Sequence, residues 1–244
     1  MKRKILSYGV LLLALAFALA PYFTGGFTGY TTEKLPNPQP DPPIQPAGWA
    51  FSIWGLIYLW LVLGAGYGAW KAPRGSNWHA MRQPLAVSLA LGVFWLPVAN
   101  AAPVPATVMI LLMAAGAIAA VLRADIRDRV WKRGPVGLYA GWLTAASGVS
   151  LSIVLSGFGL LSAEAAAILC LALVLAVALS VQTLRPVAWT YPAAVCWALF
   201  GVLAGQAGAG SNAPVTVLAV LGLLVLTARA ILGVVRHAAH QAPA

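Results

Sequence analysis

The stretch Gln45-Pro46-Ala47-Gly48-Trp49-Ala50-Phe51-Ser52-Ile53-Trp54-Gly55-Leu56-Ile57-Tyr58 decides the fold. It leaves a proline-rich segment and opens an apolar run that continues to Trp70. Phe51, Trp54 and Tyr58 are spaced i, i+3 and i+7, so a helix carries them on one stripe. A helix of membrane-spanning length with an aromatic face needs partners for that face. The other apolar runs of the chain supply them.

Composition sets the class. Of the 244 residues, 61% are hydrophobic and 8% charged, whereas a soluble domain carries about 25% charge. Mean hydropathy is +0.86. The chain reads as all-α, a polytopic membrane bundle of about eight transmembrane helices. A net charge of +10 would fit a nucleic-acid binder. Here the cations fall in short clusters between apolar runs, so the lipid bilayer is the partner and nucleic acid is not. Cys170 and Cys196 both lie inside apolar runs and read as packing residues.

Lys2, Arg3 and Lys4 precede the run Ile5 to Ala20. Ala18-Leu19-Ala20 has the form of a cleavage box, but Pro21 is unfavourable just after a cut, which favours an uncleaved first helix. The segment 21–47 is rich in Gly and Pro and is expected to be extended, as a lid or a tether. Further helices are predicted over 48–70, 83–101, 106–122, 136–155, 163–181, 191–207 and 215–235, with a polar loop at 71–82. With the N-terminus inside, the inner segments hold 14 of the 15 Lys and Arg, and only Lys34 is outside with Glu33, Asp41 and Glu164. This predicts a multi-pass protein of the inner (plasma) membrane with both termini cytoplasmic.

The spans lack the parts of a pump. No Lys sits in a helix core for a Schiff base, and no Asp, Glu or His lies at a midplane for a proton relay. No metal-ligand spacing, phosphate loop or nucleophile–base pair is present, so catalytic, metal and cofactor residues are expected to be none. His79, His237 and His240 read as loop residues. Trp70, Trp78, Trp131 and Trp189 fall at helix ends, as interfacial anchors do. Trp54, Trp95, Trp142 and Trp197 fall within spans. Tyr139, Trp142, Ala146 and Ser150 share one stripe. Rings beside a few uncharged hydrogen-bonding groups suit a flat, apolar, ring-containing ligand.

These residues resemble the tryptophan-rich sensory protein family, also called the translocator protein or peripheral benzodiazepine receptor family. Pro42-Pro43 with Trp49, Phe51, Trp54 and Tyr58 is similar to its second-helix pattern, although Trp49 and Trp54 are one residue closer than in short members. Phe94-Trp95-Leu96-Pro97 is similar to its Trp-Ser-Pro, and Tyr139-Ala140-Gly141-Trp142 with Ala146 to its fifth-helix run. Departures are Gly92 and Ser150 where the family usually has Asn, Ser88 where it has Gln, and Leu138 where it has Pro. The resemblance covers about residues 1–156, a five-helix core. Residues 157–244 add three helices, and Cys196-Trp197-Ala198-Leu199-Phe200-Gly201 looks like the tail of a longer branch. The resemblance implies binding of tetrapyrroles, sterol-like lipids or aromatic molecules in a pocket closed by the first loop, with the missing Asn putting ligand identity in question.

Two readings follow. The first is a non-enzymatic ligand-binding or sensory protein. Trp49, Phe51, Trp54 and Tyr58 form one wall, Trp95 and Asn100 a second, Tyr139 and Trp142 a third, with 31–47 as the lid. The alternative is a transporter of a small hydrophobic or aromatic solute, with helices broken at Pro97 and Pro192. An enzyme that degrades a bound tetrapyrrole ranks third, because no general base is offered. The oligomeric state, a homo-oligomer included, stays open.

Overall fold

The computed structural model describes residues 1–24, 34–38, 40–125, 128–207 and 211–239, without the side chains of 234–239. Glu33, Arg127, His240 and part of the expected lid lie outside the described residues. Eight α-helices follow one another: α1 Lys2–Thr24, α2 Ile53–Lys71, α3 Ser76–Ala101, α4 Pro103–Arg123, α5 Gly134–Gly157, α6 Ala163–Leu184, α7 Thr190–Gly205 and α8 Ala213–Ala239. A 3-10 turn, Gly48–Ser52, leads into α2, and a π-helical turn, Arg129–Arg133, leads into α5. Seven helices are long and apolar enough to cross a membrane. The chain is a polytopic membrane helix bundle.

The eighth helix, α7, has 16 residues. At 1.5 Å per residue it is about 24 Å long, short of the roughly 30 Å of a hydrocarbon core. It lies against α5, α6 and α8. The centre of the bundle is α5, which packs against α2, α4, α6 and α7. Of its spanning window 72% is buried, against 22% for α8. Its small residues make this possible. A side chain at Gly141 would meet the Tyr191 carbonyl, and one at Gly137 the Thr190 hydroxyl, so α7 approaches α5 backbone to backbone.

Two breaks expected from proline are absent. α3 runs unbroken through Pro97, and Pro192 sits in the first turn of α7, where the missing N–H leaves no bond unmade. The expected polar loop at 71–82 is a short turn, because α3 already starts at Ser76. Arg82 explains the early start. Its guanidinium donates to the carbonyls of Gly68 (2.7 Å) and Ala72 (3.0 Å), adding a second donor to each beside its backbone bond and clamping α3 to the end of α2. Trp78 fills the groove at Gly68 and is buried, with Arg82 and Lys132 near its ring face. It is a core residue and not an interfacial anchor. Trp70 and Trp189 are exposed, as anchors are.

Lys132, read as a loop residue, is fully buried and paired with Asp125. Asp128, in the left-handed region at φ 62°, accepts from the Trp131 amide and starts the π-helical turn. Cys170 and Cys196 are both free thiols. His79 is half-buried within α3.

Candidate functional site: an aromatic cavity under the first loop

The α2 stripe faces inward as its spacing predicts. The rings of Trp54 and Tyr58 stack at 5.2 Å. Phe51 and Trp54 meet the Trp142 ring edge-on at 5.8 and 6.1 Å. Above them lies a partly open cavity of about 50 Å³. Phe51 and Trp54 line it from the α2 side, Trp95 from α3, Ile110 from α4 and Ala198 from α7. The face of α5 from Trp142 through Ala146 and Ser150 to Ile153 forms the longest wall, and Gln45 and Pro46 close it.

Four of the eight residues singled out from sequence meet here: Phe51, Trp54, Trp95 and Trp142. Tyr58 and Tyr139 belong to an adjoining aromatic cluster. Its centre is Phe17 of α1, with ring centroids 5.0 Å from Tyr58, 5.7 Å from Tyr139 and 5.8 Å from Trp54. Trp49 is elsewhere. It is half-exposed and packs on Trp197 (5.2 Å) and Phe200 (5.6 Å) of α7. Asn100 is exposed at the end of α3, where its amide donates to the Thr24 carbonyl and ties α3 to α1. Phe17 escaped sequence reading, because a lone Phe in an apolar run carries no signal of its own.

The hydrogen bonds explain the departures at the family's polar positions. The Ser88 hydroxyl donates to the Met113 carbonyl (2.7 Å) and lies 3.0 Å from the Tyr139 hydroxyl, so both groups are satisfied away from the cavity. Ser150 bonds Thr107 of α4 at 2.7 Å. A Cβ at position 92 would stand 2.8 Å from the Phe17 ring. Phe17 thus occupies the space that a side chain there would need. Trp95 donates its indole N–H to the Ala106 carbonyl at 2.9 Å. The Trp142 indole N–H is buried and has no acceptor, although buried polar groups are rarely left unbonded.

The loop over the cavity is fastened to α7. The Ala47 amide donates to the Gly201 carbonyl at 2.9 Å. The Trp197 indole donates to the Ala50 carbonyl, and the Gln206 amide to the Pro43 carbonyl, each at 2.8 Å. A Cβ at Gly201 would lie 2.7 Å from that of Ala50 and 3.0 Å from that of Pro46. Glycine there lets the loop lie flat on the helix. At its other end the loop bonds α5, Asn37 amide to Gly157 carbonyl, at 2.8 Å.

A helix bundle whose central helix carries an aromatic cavity under a proline-rich loop defines a class, the membrane proteins with an intramembrane ligand cavity. The family model described as TSPO-like protein matches residues 4–232, and the chain belongs to that family. The match continues past residue 156, so α6, α7 and most of α8 lie within it. No curated protein and no solved structure matches the chain. Among the described residues no three His, Cys, Asp or Glu gather as a metal site.

Proposed function

We propose that the protein binds a flat, ring-containing apolar ligand in the cavity between α2 and α5, and that residues 34–47 act as its lid. The observation that carries this reading is Trp142. Its ring forms a cavity wall, and its buried N–H lacks an acceptor that a ligand oxygen or nitrogen would supply. The rings of Phe51, Trp54 and Trp95 stack on or edge against the ligand. The ligand class therefore includes an acceptor atom on an aromatic or sterol-like body. At about 50 Å³ the cavity as it stands has room for a few water molecules. A tetrapyrrole enters only after Gln45 and Pro46 swing away from α7. Residues 1–156 form the core of the pocket, and 157–244 supply the surface that holds the lid. The basic end faces the cytoplasm of the inner membrane, with both termini there.

Binding, not catalysis, suits a site whose polar groups are uncharged. The transport alternative leaned on helix breaks at Pro97 and Pro192, and neither helix is broken there. The test is tryptophan-fluorescence quenching of the detergent-purified protein during a protoporphyrin titration. Saturable quenching, weakened in Trp54→Ala and Trp142→Ala, supports the pocket. Linear quenching that both variants leave unchanged rejects it. Gradient-dependent uptake of the ligand into vesicles would make the protein a transporter instead.

A further inference from the structure

The opposite end of the bundle holds a second cavity. It opens where α4 ends, α5 begins and the α6–α7 turn passes, and has a volume of about 220 Å³. Val121, Val136, Leu184 and Val187 give it apolar walls. The charged side chains that line it are Arg133 and Arg185, and no carboxylate does among the described residues. Arg133 is 9% exposed. Arg185 donates to the Leu122 carbonyl, which fixes its guanidinium at the end of α4.

Among the described residues nearby, cations outnumber carboxylates. Arg133 feels the like charges of Arg129 and Arg185 and the opposite charge of Asp125. Asp125 also pairs with Lys132, and Asp128 accepts from the Trp131 amide. Arg123 adds a further cation at the end of α4. Two guanidiniums facing one apolar-walled space repel each other, and an anion between them turns that repulsion into attraction. Their planar forks suit the paired oxygens of a phosphate. The rim points to the source of that phosphate. Leu184 and Trp189 are exposed beside the cavity, as residues at the level of lipid headgroups are.

We propose that Arg133 and Arg185 form a binding site for the phosphodiester of an anionic phospholipid. The headgroup sits between the guanidiniums and the upper acyl chain runs over Leu184 and Val187. Basic pockets between transmembrane helices on the cytoplasmic side recognise headgroups in this way.

The test is thermal unfolding of the delipidated full-length protein in an uncharged detergent. The added probes are dioleoyl phosphatidylglycerol, dioleoyl phosphatidylcholine or inorganic phosphate. Phosphatidylglycerol is expected to raise Tm saturably while phosphatidylcholine and phosphate do not. Arg133→Gln and Arg185→Gln should each weaken the apparent affinity about fivefold. Because Arg185 also braces α4, Val187→Asp is the second variant. It keeps both arginines, adds a carboxylate at the cavity wall and should abolish the response. Neutralising Lys2, Arg3 and Lys4 to Gln should leave it intact. Equal stabilisation by the two lipids would overturn the proposal, as would a phosphatidylglycerol response unchanged in Val187→Asp. Stabilisation by inorganic phosphate matching that by phosphatidylglycerol would replace the lipid with a free anion.

Discussion

Trp142 and Phe17 show what single residues do here. Trp142→Phe keeps a ring in the cavity wall and removes the unbonded N–H. No protein hydrogen bond is lost, but the smaller ring leaves a gap against Phe51 and Trp54, so Tm should fall by the equivalent of about 1–2 kcal/mol with the fold retained. Ligand affinity should fall about threefold to tenfold, the worth of a neutral hydrogen bond. Titrating a ligand that carries a carbonyl, and its deoxy analogue, would show the loss for the first alone. Gly92→Asn restores the residue usual in the family but drives its Cβ into the Phe17 ring. It should cost about 1–3 kcal/mol, as overpacking does, read as a lower Tm. In the Phe17→Ala background, itself destabilised, Gly92→Asn should cost less than it does alone, because the two changes share one space. That Phe51, Trp54 and Trp142 gather at one cavity was legible, since aromatic spacing on a helix survives as a pattern in sequence. Trp49 was not separable from them. It shares their segment, but the 3-10 turn at Gly48–Ser52 sends its ring outward to α7.

At the scale of elements, hydropathy located all eight helices, and it misjudged ends where a charge is buried. It scores Arg82 and Lys132 as solvated because it sees a charge and not its partner. The Gly68 and Ala72 carbonyls lie 14 and 10 residues before Arg82, across the turn from α2. Arg82→Met should therefore remove both of these charge-assisted bonds from the turn between α2 and α3. A loss of about 1–3 kcal/mol for each is expected, measured as a fall in Tm. The contact between the loop and α7 was equally hidden, because nothing local in Pro43 or Gln206 marks the other. Gln206→Ala should free the lid by about one hydrogen bond. Rates of ligand association and dissociation should both rise about fivefold with Kd nearly unchanged, which stopped-flow quenching would show. A slower association rate would mean that the contact guides the ligand and does not bar it.

The whole molecule is polarised. The described cations other than Lys34 gather toward one end, and the aromatic cavity lies toward the other. Hydrogen bonds tie the helix ends level by level, Asn100 to Thr24 at one pole and Arg185 to Leu122 at the other. That polarity was plain in the sequence, because charge in loops is read without knowing any contact. Fluorescent reporters fused to either terminus should both light up in the cytoplasm, and a dark C-terminal fusion would invert the last helices. The lid and its fastening are far apart in the chain. Trp197 lies 147 residues beyond Ala50, and Gln206 lies 163 beyond Pro43. During synthesis at roughly 5–20 residues per second, the loop waits about seven to thirty seconds for the helix that receives it. A chain truncated before α7 should lack these fastenings, and its loop should be cut faster by a protease than that of the full chain. The lid can therefore be fastened only after α7 has been made, with α8 still to follow.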